Sequence, residues 1–360
     1  MIVDVTGFGW SGSGAVHDLL REYDDVHFAS FADFEFTLLW MVDGIADLEY
    51  KLCDKHCRYG DSDRAISRFL DINKKLENTN SFGYKELFKG NYYNLCKQYI
   101  EDLTQVEFEA RNFDDVMSSS LKERLYIIKK NILGRLLNNR IVSPLMWKMF
   151  HRNIIPELAK PNTHLVRLSY NPDHFIERTH KLIEELFTYL RTDDNVGKPM
   201  ITDQLLPPDC PDRFVKYVGE PMKCIVVKRD PRDLFLLTKH AYNSIIPIPT
   251  KRVEDFIVFY KKTIEETIMP DNDWRITIDF EDLVYDYEKA VNRISDFIGI
   301  SSHLRVKQFF DPNKSVQNTQ LFNYYDNCEK EIKQIEEALP NSLYPFEKFE
   351  FKAFSRKNIY

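Results

Sequence analysis

The chain has no excess of positive charge, no long apolar run and no ordered cysteine spacing. Its 49 Lys and Arg residues stand against 56 Asp and Glu, a net charge of −7. That balance excludes a general binder of nucleic acid or anionic membrane and leaves only local patches to consider. No apolar stretch approaches the length of a membrane span. The six cysteines, Cys53, Cys57, Cys96, Cys210, Cys224 and Cys328, are scattered. No basic-then-apolar leader precedes them, and a reduced, cytoplasmic protein with free thiols is expected. Cys53, His56 and Cys57 share one helical turn without a second ligand pair, so they read as helix residues and no metal is expected. Internal repeats and low-complexity segments are missing as well.

Short β-rich runs recur at Ile2 to Thr6, Val26 to Phe31, Thr163 to Ser169, Cys224 to Val227 and Arg275 to Phe280. Helical patterns lie between them, which indicates an α/β core with a parallel sheet of about five strands covered on both faces. The 360 residues are taken as one domain. The long interval over residues 33–160 reads as a helical insertion or cap on that core: one helix around Ala65 to Leu70, one from Tyr84 to Leu103, one from Leu121 to Leu137. Leu121 to Arg152 is rich in Lys and Arg, either a solvated helix face or a surface for an anionic ligand. Pro199 to Pro211 reads as an ordered loop.

The start of the chain carries the strongest local signal. Ile2, Val3, Val5 and Thr6 form a β-branched run that enters Gly7, Phe8, Gly9, Trp10, Ser11, Gly12, Ser13, Gly14, and Ala15, Val16, Leu19 and Leu20 then have helical spacing. A strand, a glycine-rich loop and a helix N-terminus in that order suit a phosphate, although such loops also serve as plain turns. As a Walker loop it has Ser13 where the phosphate lysine belongs and Gly14 where the magnesium-binding hydroxyl belongs. Metal-assisted γ-phosphoryl transfer therefore lacks its parts. Farther on, Cys224 to Val227 leads into Lys228, Arg229, Asp230, Pro231, Arg232, Asp233, with Thr238 on the following helix. This sets Arg229 at the carboxyl edge of the sheet, where α/β folds bind ligands. A third stretch, Arg275 to Ile300, reads as strand, acidic turn and amphipathic helix closed by Gly299.

In order and spacing these segments resemble the sulfotransferases that use 3′-phosphoadenosine 5′-phosphosulfate (PAPS), most nearly the bacterial and carbohydrate-type members. The resemblance covers about the first 35 residues and Cys224 to about Phe322, and it implies a P-loop-like three-layer core. It implies that Gly9, Trp10, Ser11, Gly12, Ser13, Gly14 and Ala15 hold the 5′-phosphosulfate. Arg229 with Thr238 would hold the 3′-phosphate, and Lys314, Ser315 and Asn318 would close over the nucleotide. Asp279 to Leu283 with Phe297, Ile298 and Gly299 is similar to the family's late "EDL … FLG" signature. The donor would be PAPS and the product PAP (3′-phosphoadenosine 5′-phosphate), with no metal, and the insertion over residues 33–160 would form the acceptor side.

Trp10 departs from the family pattern, which has Lys or Arg there to neutralise the leaving group. An indole N–H is a neutral donor, so Lys228, Arg232 and Lys314 are candidates to supply the missing charge. Leu237 also stands where the hydroxyl after the arginine is usual, with Thr238 next to it. For the base, Asp33 and Glu35 fall at the end of the second strand, and the aromatics around Glu35 would raise its pKa. Asp203 and His240 are alternatives, and His17 reads as a packing or surface residue. The 26 Phe, 19 Tyr and 4 Trp do not identify the acceptor. A small-molecule or glycan hydroxyl follows from the Ser11–Gly12–Ser13 likeness, and a sterol or lipid alcohol is the alternative. A binder of PAPS or PAP without turnover and an ATP-dependent kinase are the competing readings.

Overall fold

The computed structural model describes residues 1–29, 35–54, 58–79, 83–110, 164–191, 193–240, 248–304 and 306–349. The chain divides into two units, one of Met1–Asp47, Phe69–Tyr99 and Ile176–Tyr360, the other of Leu48–Arg68 and Ile100–Phe175.

The first unit is built on a parallel sheet. Strands β1 (Ile2–Gly7), β2 (His27–Phe28), β5 (Met200–Asp203), β6 (Met222–Lys228) and β7 (Arg275–Asp279) lie in the order β2-β5-β1-β6-β7. Every pairing in it is parallel. The chain leaves β1 towards one edge and later crosses to the other, so the carboxyl ends of β1 and β6 border a switch point. Every residue of β1 is buried, as a central strand covered on both faces requires. Helix α1 (Ser13–Leu20) packs Val16, Leu19 and Leu20 on the sheet, and the helix Tyr287–Ile298 adds Ala290, Val291, Ile294 and Ile298 before Gly299 ends it at φ 85°.

Two polar residues interrupt the apolar β1, and both fasten the turn after β5. Asp4 accepts from the Thr202 hydroxyl and the Leu205 and Leu206 amides, each at 2.9 Å. The Thr6 hydroxyl donates to the Leu206 carbonyl at 2.7 Å and lies 2.8 Å from Gln204 Oε1. Gln204 is thereby held at φ 56°, a left-handed conformation uncommon outside glycine.

The sheet corrects the sequence expectation at one strand. Thr163 to Ser169 does contain a strand, β4 (His164–Leu168), but it pairs antiparallel with β3 (Val106–Ala110) in a separate two-stranded sheet in the second unit. Its place in the parallel sheet is taken by β5, within the stretch expected to be a loop. Three residues between Pro199 and the polar Asp203–Gln204, Met200, Ile201 and Thr202, give too short an apolar run to stand out. The helix expected over Tyr84 to Leu103 is two helices, Tyr84–Leu87 and Tyr92–Leu103, because Lys89 and Gly90 take positive φ. The expected helix from Leu121 to Leu137, the basic interval Leu121 to Arg152, and Asp33 lie outside the described residues.

Burial raises the Asp4 carboxyl pKa to about 7, outweighing the hydrogen bonds that favour its charge. A raised folded-state pKa means that the native protein holds a proton the unfolded chain has released. Stability relative to Asp4→Asn should therefore fall as pH rises between about 4 and 7, by up to about 1.4 kcal/mol per unit. Denaturant unfolding of both proteins across that range measures it, and a constant difference would contradict the assignment.

Candidate functional site

Past Gly7 the chain turns on two left-handed residues, Trp10 at φ 61° and Gly12 at φ 97°. The Ser11 amide donates to the Phe8 carbonyl at 2.8 Å, tightening the loop. Gly12 caps α1 without a side-chain acceptor, so the amides of the first turn carry no cap and the positive end of the helix dipole is open to an anion. A Cβ on Gly12 would come within 2.5 Å of the Phe280 ring, and one on Gly7 within 2.4 Å of Ser11 Oγ, so both glycines permit close approaches.

These residues open on a cleft of about 660 Å³ at the carboxyl edge of the sheet, within the first unit. That volume lies within the range of small-molecule sites. From the loop come Gly9, Trp10, Gly12, Ser13, Gly14 and Ala15, and Arg229, Lys314, Ser315 and Asn318 line the same cleft. Glu35 lines the cleft too. Segments more than 200 residues apart in sequence therefore meet at one surface. Ser11 is not on it: the side chain is buried against Gly7, and its hydroxyl has no partner among the described residues. Thr238 is likewise fully buried, does not line the cleft, and leaves its hydroxyl unpartnered among the described residues.

Arg229 is 3% exposed. One guanidinium nitrogen donates to the Trp10 carbonyl at 3.1 Å and another to the Asn318 carbonyl, while Nε has no partner among the described residues. The Phe280 ring lies 4.8 Å beneath the guanidinium, a cation–π distance. The rest of the charged run after β6 is structural. Asp230 accepts from the Arg232 amide and guanidinium and from the Tyr344 amide, and Arg232 also reaches Glu336. Asp233 accepts from the Gln320 and Leu321 amides at 2.8 and 2.7 Å. Glu281 accepts from the Asp230 amide at 2.9 Å, and burial pushes its carboxyl pKa well up. Lys228 is paired with Asp279. The acidic turn and the Arg–Asp run thus fasten the C-terminal segment to the sheet edge and leave Arg229 at the cleft.

On the same cleft, Glu35 bridges to Asp203 in parallel register, and the Phe36 amide donates to the Asp203 carbonyl at 2.8 Å. Phe36 is buried against Phe88 and Phe187, at centroid distances of 6.3 and 5.7 Å, which fixes the backbone that presents Glu35. Partial loss of water raises the Glu35 pKa, with a further rise from the Asp203 charge. Asp203 also lines the cleft, and its Oδ1 lies 3.6 Å from His17 Nε2. His17 therefore stands beside a cleft carboxylate, a neighbour that its helical position does not reveal. His240 does not line the cleft and stacks on Tyr325 at 4.0 Å.

Sequence reasoning missed Asp18, Gln204 and the run Gln308 to Asp311 on the cleft wall. Asp18 was detectable, since it follows Gly14 by four residues and shares its helix face. Asp311 before Pro312 is a cap-and-proline helix start, and its side chain accepts from the Asn313 amide at 3.0 Å. Among the described residues no group of three His, Cys, Asp or Glu side chains could hold a metal, and no helix is long and apolar enough to cross a membrane.

The chain matches no family model and no curated protein. Among solved structures it is similar to the sulfotransferase domain from the Synechococcus PCC 7002 olefin synthase, at 11% identity and a TM-score of 0.36, over 98% of this chain and 89% of that one. So distant a likeness adds nothing to what the cleft itself suggests.

Gly12→Ala should strain the loop twice, through the positive φ and through the Phe280 contact, lowering stability by about 1–3 kcal/mol. Urea unfolding tests it against Gly14→Ala, whose Cβ would meet nothing within 4 Å.

Proposed function

We propose that the protein transfers a sulfuryl group from PAPS to a hydroxyl acceptor by in-line displacement. The observation that carries this reading is the meeting, on one cleft, of the uncapped glycine-rich loop, the buried Arg229 and the carboxylate Glu35. The loop and Arg229 suit a ligand with phosphates at two places, and the buried, unpartnered Arg229 Nε is a donor still lacking an acceptor. The bound donor would supply an activated sulfuryl group on its 5′-phosphate. Around it, the loop amides would bind the phosphosulfate, Arg229 the 3′-phosphate, and Lys314, Ser315 and Asn318 would close over the nucleotide. Glu35 would take the acceptor's proton, and its raised pKa suits a base working nearer neutrality. Its neighbour Asp203 is the alternative. The Ser11–Gly12–Ser13 likeness favours a saccharide acceptor, with a lipid or sterol alcohol as the alternative.

Trp10 favours a second reading, a protein that binds the nucleotide without turnover, because it sets a neutral side chain on the loop that lines the cleft. A nucleotide kinase is disfavoured by Ser13 and Gly14 in place of the lysine and the metal-binding hydroxyl.

Isothermal titration with PAP, and separately with ATP and magnesium, separates these readings. Binding of PAP alone is expected, with Arg229→Ala weakening it by about 1.5–3 kcal/mol for a lost charged hydrogen bond. Binding of ATP alone would move the protein to the kinases, and binding of neither would reduce the loop to a turn. Transfer from labelled PAPS in an acceptor screen, abolished in Glu35→Gln, distinguishes turnover from binding.

A further inference from the structure

Displacement at sulfur leaves two negative charges on the departing phosphate, and a site with few cations must still neutralise them. The loop amides offer dipoles only, and Trp10 offers none of the charge. Besides Arg229, the cationic side chain on the cleft among the described residues is Lys314. The other candidates are committed elsewhere. Lys228 is paired with Asp279, and Arg232 is 8% exposed and locked between Asp230 and Glu336. Arg229 is held by two backbone carbonyls over Phe280. Lys314, by contrast, is exposed, and its ammonium has no ion pair or hydrogen bond among the described residues.

The base of that side chain is nevertheless fixed. The Lys314 and Ser315 amides both donate to the Asp311 carbonyl at 3.0 Å, and Asp311 caps the turn through its side chain. Four residues on, the Asn318 carbonyl accepts from Arg229, and Asp233 holds the amides of Gln320 and Leu321. A long, unpaired ammonium on a short, anchored turn can follow a ligand without the backbone moving.

We propose that Lys314 carries the charge that the loop lacks: it binds the 5′-phosphate and neutralises it as the leaving group. The inference rests on the sulfuryl-transfer reading. In that step the bond from the acceptor oxygen to sulfur forms as the bond from sulfur to the 5′-phosphate oxygen breaks. The electron pair stays on the phosphate oxygen, beside the Lys314 ammonium, and the acceptor proton passes to Glu35.

The test is calorimetry on the full chain with two probes, adenosine 3′,5′-bisphosphate (PAP) and adenosine 3′-monophosphate, which differ only in the 5′-phosphate. Lys314→Met should weaken the bisphosphate by roughly ten- to a hundredfold, the size of one charged hydrogen bond. The monophosphate should change little, so that the variant loses the preference for a 5′-phosphate. Lys314→Arg should keep that preference, and Trp10→Lys added to Lys314→Met should restore it. An equal loss for both probes, or no loss, would overturn the role of Lys314 and leave the parent reading intact. If the unmodified protein binds neither probe, the nucleotide reading itself fails, and this one with it.

Discussion

The cleft depends on one buried carboxylate, Asp230. It lies at the end of β6, is 1% exposed, and accepts four hydrogen bonds, three from Arg232 and one from the Tyr344 amide. A lone buried carboxylate would be costly; with Arg232 and two backbone amides around it, the charge is compensated. The consequence reaches beyond the pair. Asp230 draws in Tyr344, Arg232 draws in Glu336, and Asp233 on the same helix draws in Gln320 and Leu321. A C-terminal segment about a hundred residues away is thereby laid against the sheet edge, and with it the wall bearing Lys314, Ser315 and Asn318. Removing Arg232 would leave a buried charge unpaired and loosen that wall at the same time.

The cleft mixes charges of both signs. Arg229 and Lys314 line it together with Asp311, while Asp18, Glu35 and Asp203 come from α1 and from the chain around β2 and β5. An anionic ligand is drawn to the two cations and held off by the carboxylates. Two carboxylates in adjacent register raise the proton affinity of one of them, and Glu35, already short of water, is the one so raised. A base that holds a proton more readily accepts one more readily, provided that the working pH keeps it ionised at the start of the reaction.

Much of this was legible in the chain, for physical reasons that differ from residue to residue. The strand and the turn at Gly7 to Gly14 could be placed because an apolar β-branched run leads directly into glycines, two of which permit close approaches. Arg229 could be placed because an apolar strand ends one residue before the charged run begins. The other charges of that run were readable as a motif but not as to role: that Arg232 is spent on Asp230 depends on burial, which sequence does not carry. β5 was illegible because its four residues owe their strand conformation to the neighbours on both sides, with Asp4 and Thr6 fixing the turn beyond it. His17 packs on Phe28, while its other neighbour, Asp203, lies on a strand 186 positions later in the chain and could not be read from the helix.

Trp10 brings these strands of argument together. A cation on the loop would sit on a tight turn, one residue from a buried serine, and would be rigidly placed. The neutral Trp10 side chain supplies no such charge, and the backbone carbonyl at that position receives Arg229 and ties the loop to the chain after β6. The same guanidinium also donates to Asn318, so one buried arginine joins loop, sheet edge and C-terminal wall. A ligand phosphate that took Arg229 for itself would compete with those two carbonyls and loosen the link it replaces. A long lysine side chain on the anchored turn at Asp311 can still reach such a phosphate without the backbone moving.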